Sequence, residues 1–123
     1  MNYVAIMGRL TASSELETTE SGKKVASFSI AVNERYKGKE RTDFILCTAW
    51  GSTAEFIHKY FTKGAMIAIE GSIREDSYTD KNGNKRYKCF VLVKNAHFTG
   101  ERRKETQEEE LPFGDSIVDD LLA

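Results

Sequence analysis

Proline is almost missing from this sequence: of 123 residues, Pro112 is the only one. With one proline and nine glycines at no fixed period, a collagen-like fibre is excluded. Cysteine is nearly as scarce. Cys47 and Cys89 form no CxxC pair, so neither a small disulfide scaffold nor a structural zinc module is expected. Both are expected as reduced thiols on buried strands. Long apolar runs are missing too. None approaches the roughly 18 residues of a membrane-spanning helix, and MNYVAIMGRL has neither the basic lead nor the apolar block of a secretory signal. No GxGxxG, P-loop or GxSxG signature occurs. His58 and His97 stand apart from any cluster with metal-ligand spacing. Glu55 and Lys59 are an i,i+4 surface pair rather than a catalytic dyad. The chain is therefore read as no enzyme, with no cofactor and no metal.

Charge is present but unevenly placed. The formal net charge is −1. Residues 1–104 nevertheless carry a net +6 and residues 105–123 a net −7, with no base among the latter. A mildly basic body and an acidic tail follow, and blocks of one sign are often interaction tails.

Most of the body alternates with period two, the mark of half-buried strands. Residues 2–10 place Val4, Ile6 and Leu10 apart, and residues 25–33 set Phe28, Ile30 and Val32 on one face. A charged loop, ERYKGKERT, precedes a strand at 43–50. One helix is expected over 52–61, with Ser52 and Glu55 as a capping box and Lys63-Gly64 as its stop. Alternation resumes over 65–74. Then SYTDKNGNKRYKCFVLV reads as two strands around Asn82-Gly83, a strong hairpin signal, with a last short strand to Phe98. The fold expected is all-β with one short helix: a five-stranded oligonucleotide-binding barrel with a projecting hairpin. Gly8, Gly51, Gly64 and Gly71 fall where a small barrel needs bends or close approach. Residues 1–100 are read as this domain, and 101–123 as a disordered acidic tail with apolar islands.

Of the 13 aromatics, Phe28, Phe56, Tyr60 and Phe61 lie on apolar stripes. Tyr36, Phe44, Trp50 and Tyr78 do not belong to the core so simply. Phe44 and Trp50 share a strand face with Leu46 and Thr48, and periodicity alone leaves open whether that face is core or binding surface. Rings among scattered bases suit a single-strand-binding surface, because every base offers a π-face and cations follow the phosphates. The candidate bases are Arg9, Arg35, Lys37, Arg41, Lys63, Arg74, Lys85, Arg86 and Lys88. No major-groove helix is present, so base-edge readout is not expected.

NYVAIMGRLT, GKKVASFSIAVNERY, TDFILCTAWGSTAEFIHKYFTKG, IAIEGSIR and SYTDKNGNKRYKCFVLV stand in this order over residues 2–99. With the acidic tail, they resemble the bacterial and phage single-stranded-DNA-binding proteins. The resemblance implies a cytoplasmic, nucleoid-associated homotetramer that protects single strands in replication, recombination and repair. It implies stacking by Tyr36, Phe44, Trp50 and Tyr78, where other members often carry Trp at the first, second and fourth. It also matches a basic residue to Lys63. The tail departs from the family pattern. Leu111-Pro112-Phe113 is followed by GDSIVDDLLA, so Phe113 lacks the free carboxylate with which the family tip docks on replication and repair proteins. Either that internal motif or Asp119, Asp120, Leu121, Leu122 and Ala123 would serve instead. Two rival readings stand beside this one: an interaction module on the same fold that binds mainly proteins, and an RNA-binding barrel.

Overall fold

The computed structural model describes residues 1–101. The expectation of a disordered tail, with its docking residues, falls outside the described residues from 102 onward. Six strands and one helix follow in the order β1 (Val4–Leu10), β2 (Glu15–Thr18), β3 (Lys24–Tyr36), β4 (Lys39–Trp50), α1 (Gly51–Tyr60), β5 (Met66–Thr79) and β6 (Lys85–His97). The sheet runs β1-β5-β6-β4-β3-β2, and an additional β1–β3 pairing closes five of the strands into a barrel. β2 is an appendage on β3. All pairings are antiparallel except β4–β6, which meet in parallel over Cys47–Ala49 and Val91–Val93.

Closure follows from alternation. Leu10, Ile30, Ile67 and Ile69 point inward and are at most 2% exposed. Burial of each such side chain contributes about 1.5–3 kcal/mol. α1 plugs one end with Ala54 and Ile57, both fully buried. Beside it, Phe56, Tyr60, Phe61 and Phe98 form a ring cluster with centroids 5.2–5.8 Å apart. That cluster pins the chain where it leaves the barrel. Strands in so small a barrel approach each other closely at two glycines. A Cβ on Gly71 would lie 2.0 Å from the Leu92 carbonyl oxygen, and one on Gly8 would lie 2.4 Å from that of Ala31.

Several sequence expectations need correction. The loop ERYKGKERT is instead a continuation of β3 and β4, joined by the two-residue turn Lys37-Gly38 between Tyr36 and Lys39. Both turn residues have positive φ, 50° and 78°, as a primed hairpin turn requires. β2 lies inside a polar stretch that carries no apolar pattern. The capping box is not formed: α1 starts at Gly51, Trp50 is its N-cap, and no side chain caps it. Ser14 and His58 tie the β1–β2 loop to α1 instead, with His58 Nδ1 3.1 Å from the Ser14 carbonyl oxygen. Cys47 is buried as expected, but Cys89 is exposed. The final two segments are one strand, β6, long enough to serve both the hairpin and the barrel.

Two arms therefore project from the barrel. The β3–β4 arm spans 33–42, where every residue is exposed. The β5–β6 arm runs from Ile73 to its turn and back to Cys89, and the turn is built by Asp80. Asp80 Oδ1 accepts the backbone N–H of Asn82 and of Asn84, at 3.0 and 2.9 Å.

Candidate nucleic-acid interface

The face shared by Phe44 and Trp50 is resolved by the register. Ile45, Cys47 and Ala49 take the inside of β4 and leave Phe44 67%, Leu46 50% and Trp50 45% exposed. Register partners share a face. Arg9 pairs Ala31, which pairs Phe44, so these three form one row across β1, β3 and β4 on the outer surface. Thr48 pairs Leu92 and Leu92 pairs Ser72, which carries the same surface into β6 and β5. Further along, Arg74 pairs Phe90, Asp76 pairs Lys88, and Tyr78 pairs Arg86. Phe44, Trp50, Tyr78, Arg9, Arg74, Arg86 and Lys88 thus occupy one continuous face, called the front below.

The front is concave. A groove of about 290 Å³ lies between the β1–β2 loop and the strands, with Ser27, Ser29, Leu46, Thr48, Lys88 and Phe90 in its lining. A second hollow, of about 440 Å³, is bounded by Asp76, Ser77, Tyr78 and Lys88. Lys88 borders both, and its ammonium lies 6.0 Å from the Phe90 ring centroid. Lys63 stands at the other end, beside Gly64, whose carbonyl oxygen accepts Arg9 Nη1 at 3.0 Å.

Not every expected residue is brought onto this face. Arg35 is, opposite Glu40. Tyr36 and Arg41 have the opposite parity and fall on the reverse of the β3–β4 arm. Lys37 sits in the turn with its ammonium 5.4 Å from the Tyr36 centroid. Lys85, opposite Thr79, falls on the reverse of the β5–β6 arm.

Four of the arginines hold internal carboxylates. Arg9 makes two parallel contacts with Glu101, at 2.5 and 2.6 Å, and this partner raises its pKa further. Arg35 meets Glu40 at 2.7 Å and Arg41 meets Asp43 at 3.1 Å. Arg86 donates to Asp80 Oδ2 at 2.9 Å; with the Asn84 and Asn82 N–H groups, it lowers the Asp80 pKa. All four pairs lie at the surface, where solvent and salt screen them, so a polyanion can displace these carboxylates at small cost. Arg74, Lys63 and Lys88 have no ion pair among the described residues.

Sequence reasoning passed over some exposed rings. Tyr3, just ahead of β1, and Tyr87, on β6, are 62% and 60% exposed, and Met7 on β1 is an exposed apolar side chain at 56%. Tyr3 donates its hydroxyl to Glu70 at 2.7 Å, and His97 meets the other oxygen of Glu70 at 2.5 Å. Tyr3 first, then His97, hold the Glu70 carboxyl below its ordinary pKa. The available signal was the flanking sequence: Tyr87, like Tyr36, lies between Arg and Lys.

A closed five-stranded barrel with exposed rings on its outer face has the architecture of the oligonucleotide-binding fold. The model of the single-strand binding protein family matches residues 1–99. The chain is 44% identical over 99 residues to a single-stranded DNA-binding protein of Clostridium perfringens. That match covers 80% of this chain and 65% of the relative, so somewhat less than two thirds of that protein is spanned. It is 39% identical over 101 residues to single-stranded DNA-binding protein 3 of Clostridium acetobutylicum, covering 80% and 70% of the two chains. With protein 2 of the same organism, 33% identity extends over 98% of this chain and 92% of the relative. The chain belongs to the single-strand binding protein family, a family of DNA-binding proteins and not of enzymes. Among the described residues, no helix is long and apolar enough to cross a membrane.

Proposed function

We propose that this protein binds single-stranded DNA without regard to sequence. One observation carries the reading: Phe44, Trp50 and Tyr78 are exposed on one concave face that also bears Arg74 and Lys88. Rings that leave smaller side chains to fill the core behind them are available to bases, each stack contributing about 1–3 kcal/mol. Cations on the same face follow the phosphates and release counterions. Tyr36 and Arg41 take part from the reverse of their arm, with Arg35 and Lys37 beside them, and Lys63 and Arg9 extend the path at the far end. Lys85 and Arg86 serve the other arm.

The role extends to protecting single strands during replication, recombination and repair in the bacterial cytoplasm, with nucleoid association. The working unit is a homotetramer. β1 supports assembly, since Tyr3 and Met7 are exposed and only Arg9 and Leu10 pair with β3, which leaves much of that strand edge open to another chain. Residues 1–100 bind DNA, and 101–123 recruit replication and repair proteins through Leu111-Pro112-Phe113 or the Asp119–Ala123 end.

The test is a titration with poly(dT), following fluorescence of Trp50, the sole tryptophan, at two salt concentrations with duplex DNA and poly(U) as controls. Strong quenching by poly(dT), absent with duplex, is the expected result. Stronger binding to poly(U) would favour the RNA reading, and no quenching by any strand would leave a protein-binding module.

A further inference from the structure

The tripeptide Arg-Tyr-Lys occurs twice, at 35–37 and at 86–88, once in each projecting arm. In the first arm, strand alternation turns Tyr36 to the reverse face, away from Phe44. The second arm repeats the arrangement: Tyr87 lies opposite Ser77, on the face away from Tyr78 and Lys88. Both tyrosines are exposed, at 72% and 60%. Each has an ammonium near its ring, Lys37 at 5.4 Å from Tyr36 and Lys85 at 5.6 Å from Tyr87. Neither hydroxyl has a hydrogen-bond partner among the described residues. A ring placed for stability would be buried, or its hydroxyl paired. Tyr87 has neither property, but it has a stackable face and a cation beside it.

We propose that Tyr87 is a further stacking residue for single-stranded nucleic acid, with Lys85 as its phosphate contact. This rests on the single-strand reading above. The strand then turns round the edge of the β5–β6 arm, passing from Tyr78 on the front to Tyr87 on the reverse. Tyr78 pairs Arg86, the immediate neighbour of Tyr87, so only the thickness of a two-stranded ribbon separates the two rings. The acid that register places on the same face, Glu75 opposite Cys89, lies on the barrel side of Tyr87. Lys85 lies toward the tip, so the edge on the tip side of Tyr87 is the more favourable path for a polyanion.

Tyr87→Ala, Tyr87→Phe and Tyr78→Ala are compared in the full chain, with oligo(dT) of increasing length as the probe and Trp50 quenching as the signal. Light scattering follows the state of assembly. For Tyr87→Ala, the shortest oligonucleotides that quench Trp50 should bind as they do to the native chain. Longer ones should lose about 5- to 100-fold in affinity, and Tyr87→Phe, which keeps the ring, should restore it. An oligonucleotide carrying 5-iodouracil should photocrosslink to the peptide holding Tyr87. Unchanged affinity at every length, with quenching retained, overturns the proposal and leaves the front face intact. Unchanged affinity with altered assembly assigns the reverse face to contact between copies, which also overturns it. Absence of quenching in the native chain overturns both readings.

Discussion

Strand β4 has two ends in different surroundings. From Ile45 to Ala49 it lines the barrel, and Cys47 and Ala49 are 2% and 0% exposed. From Lys39 to Arg41 it lies in an arm where each residue is open to water. The backbone ladder to β3 continues unbroken through both, from Trp50 opposite Val25 to Lys39 opposite Tyr36. Pairing therefore does not distinguish barrel from arm; side chains do. On the inner side of β4, Ile45, Cys47 and Ala49 pack toward the core. In the arms and on the front, the large rings face water. Burial holds the barrel together, and the rings left exposed are free to meet a ligand.

The comparison can be broken hardest in the core. Ile67→Ala removes a fully buried side chain and should lower stability by about 2–5 kcal/mol, read as a shift in the urea midpoint. A loss under 1 kcal/mol would mean that the barrel is not the stabilising unit. Phe44→Ala should do the reverse. Single-strand affinity falls by about 1–3 kcal/mol, read by Trp50 quenching, while the urea midpoint stays nearly fixed. Equal losses in both would return Phe44 to the core.

Smaller effects sharpen the picture at the charged positions. Glu101→Gln removes the carboxylate held by Arg9, which sits in the Phe44 row. Single-strand binding should tighten about 2- to 5-fold at low salt, with the gain fading as salt screens it. No gain at low salt would mean that DNA does not compete for Arg9. Asp80 offers a subtler test, because its folded-state pKa is lowered, first by Arg86 and then by the Asn84 N–H. A depressed carboxylate stabilises the fold above its unfolded pKa. The contribution is lost as pH falls below about 4 and through the lowered folded value. In Arg86→Ala, the Asp80 titration followed by NMR should move up toward the ordinary aspartate range; an unmoved midpoint would remove Arg86 as the main cause.

What could be read in the sequence was what a core imposes. Phe28, Ile30, Ile67 and Ile69 declare their strands because one face must be apolar, and Ala54 and Ile57 declare the helix in the same way. The arm at 33–42 declares nothing, since its pairing is backbone to backbone and its exposed side chains form no apolar face. Glu15–Thr18 offers only Leu16 to the core, and a single apolar position shows no alternation. The orientation of Phe44-Leu46-Thr48-Trp50 was undecidable because both sides of β4 are apolar. Size misleads there, for the bulky set faces out and Ile45, Cys47 and Ala49 face in. Cys89 shares the parity of Val91 and Val93 but lies beyond the barrel wall, a boundary that alternation does not mark. The capping box at Ser52 was a local preference overruled by the strand feeding the helix, which makes Trp50 the cap.

The two thiols have a practical consequence. Burial pushes the Cys47 thiol up to about 12, while Cys89 stands in water on the reverse of its arm. The thiolate, not the thiol, attacks a disulfide reagent and expels its chromophore. The native chain should therefore release one chromophore equivalent promptly and a second only when the barrel opens. The rate of that second release is a clock for barrel opening that needs neither a mutation nor a bound strand.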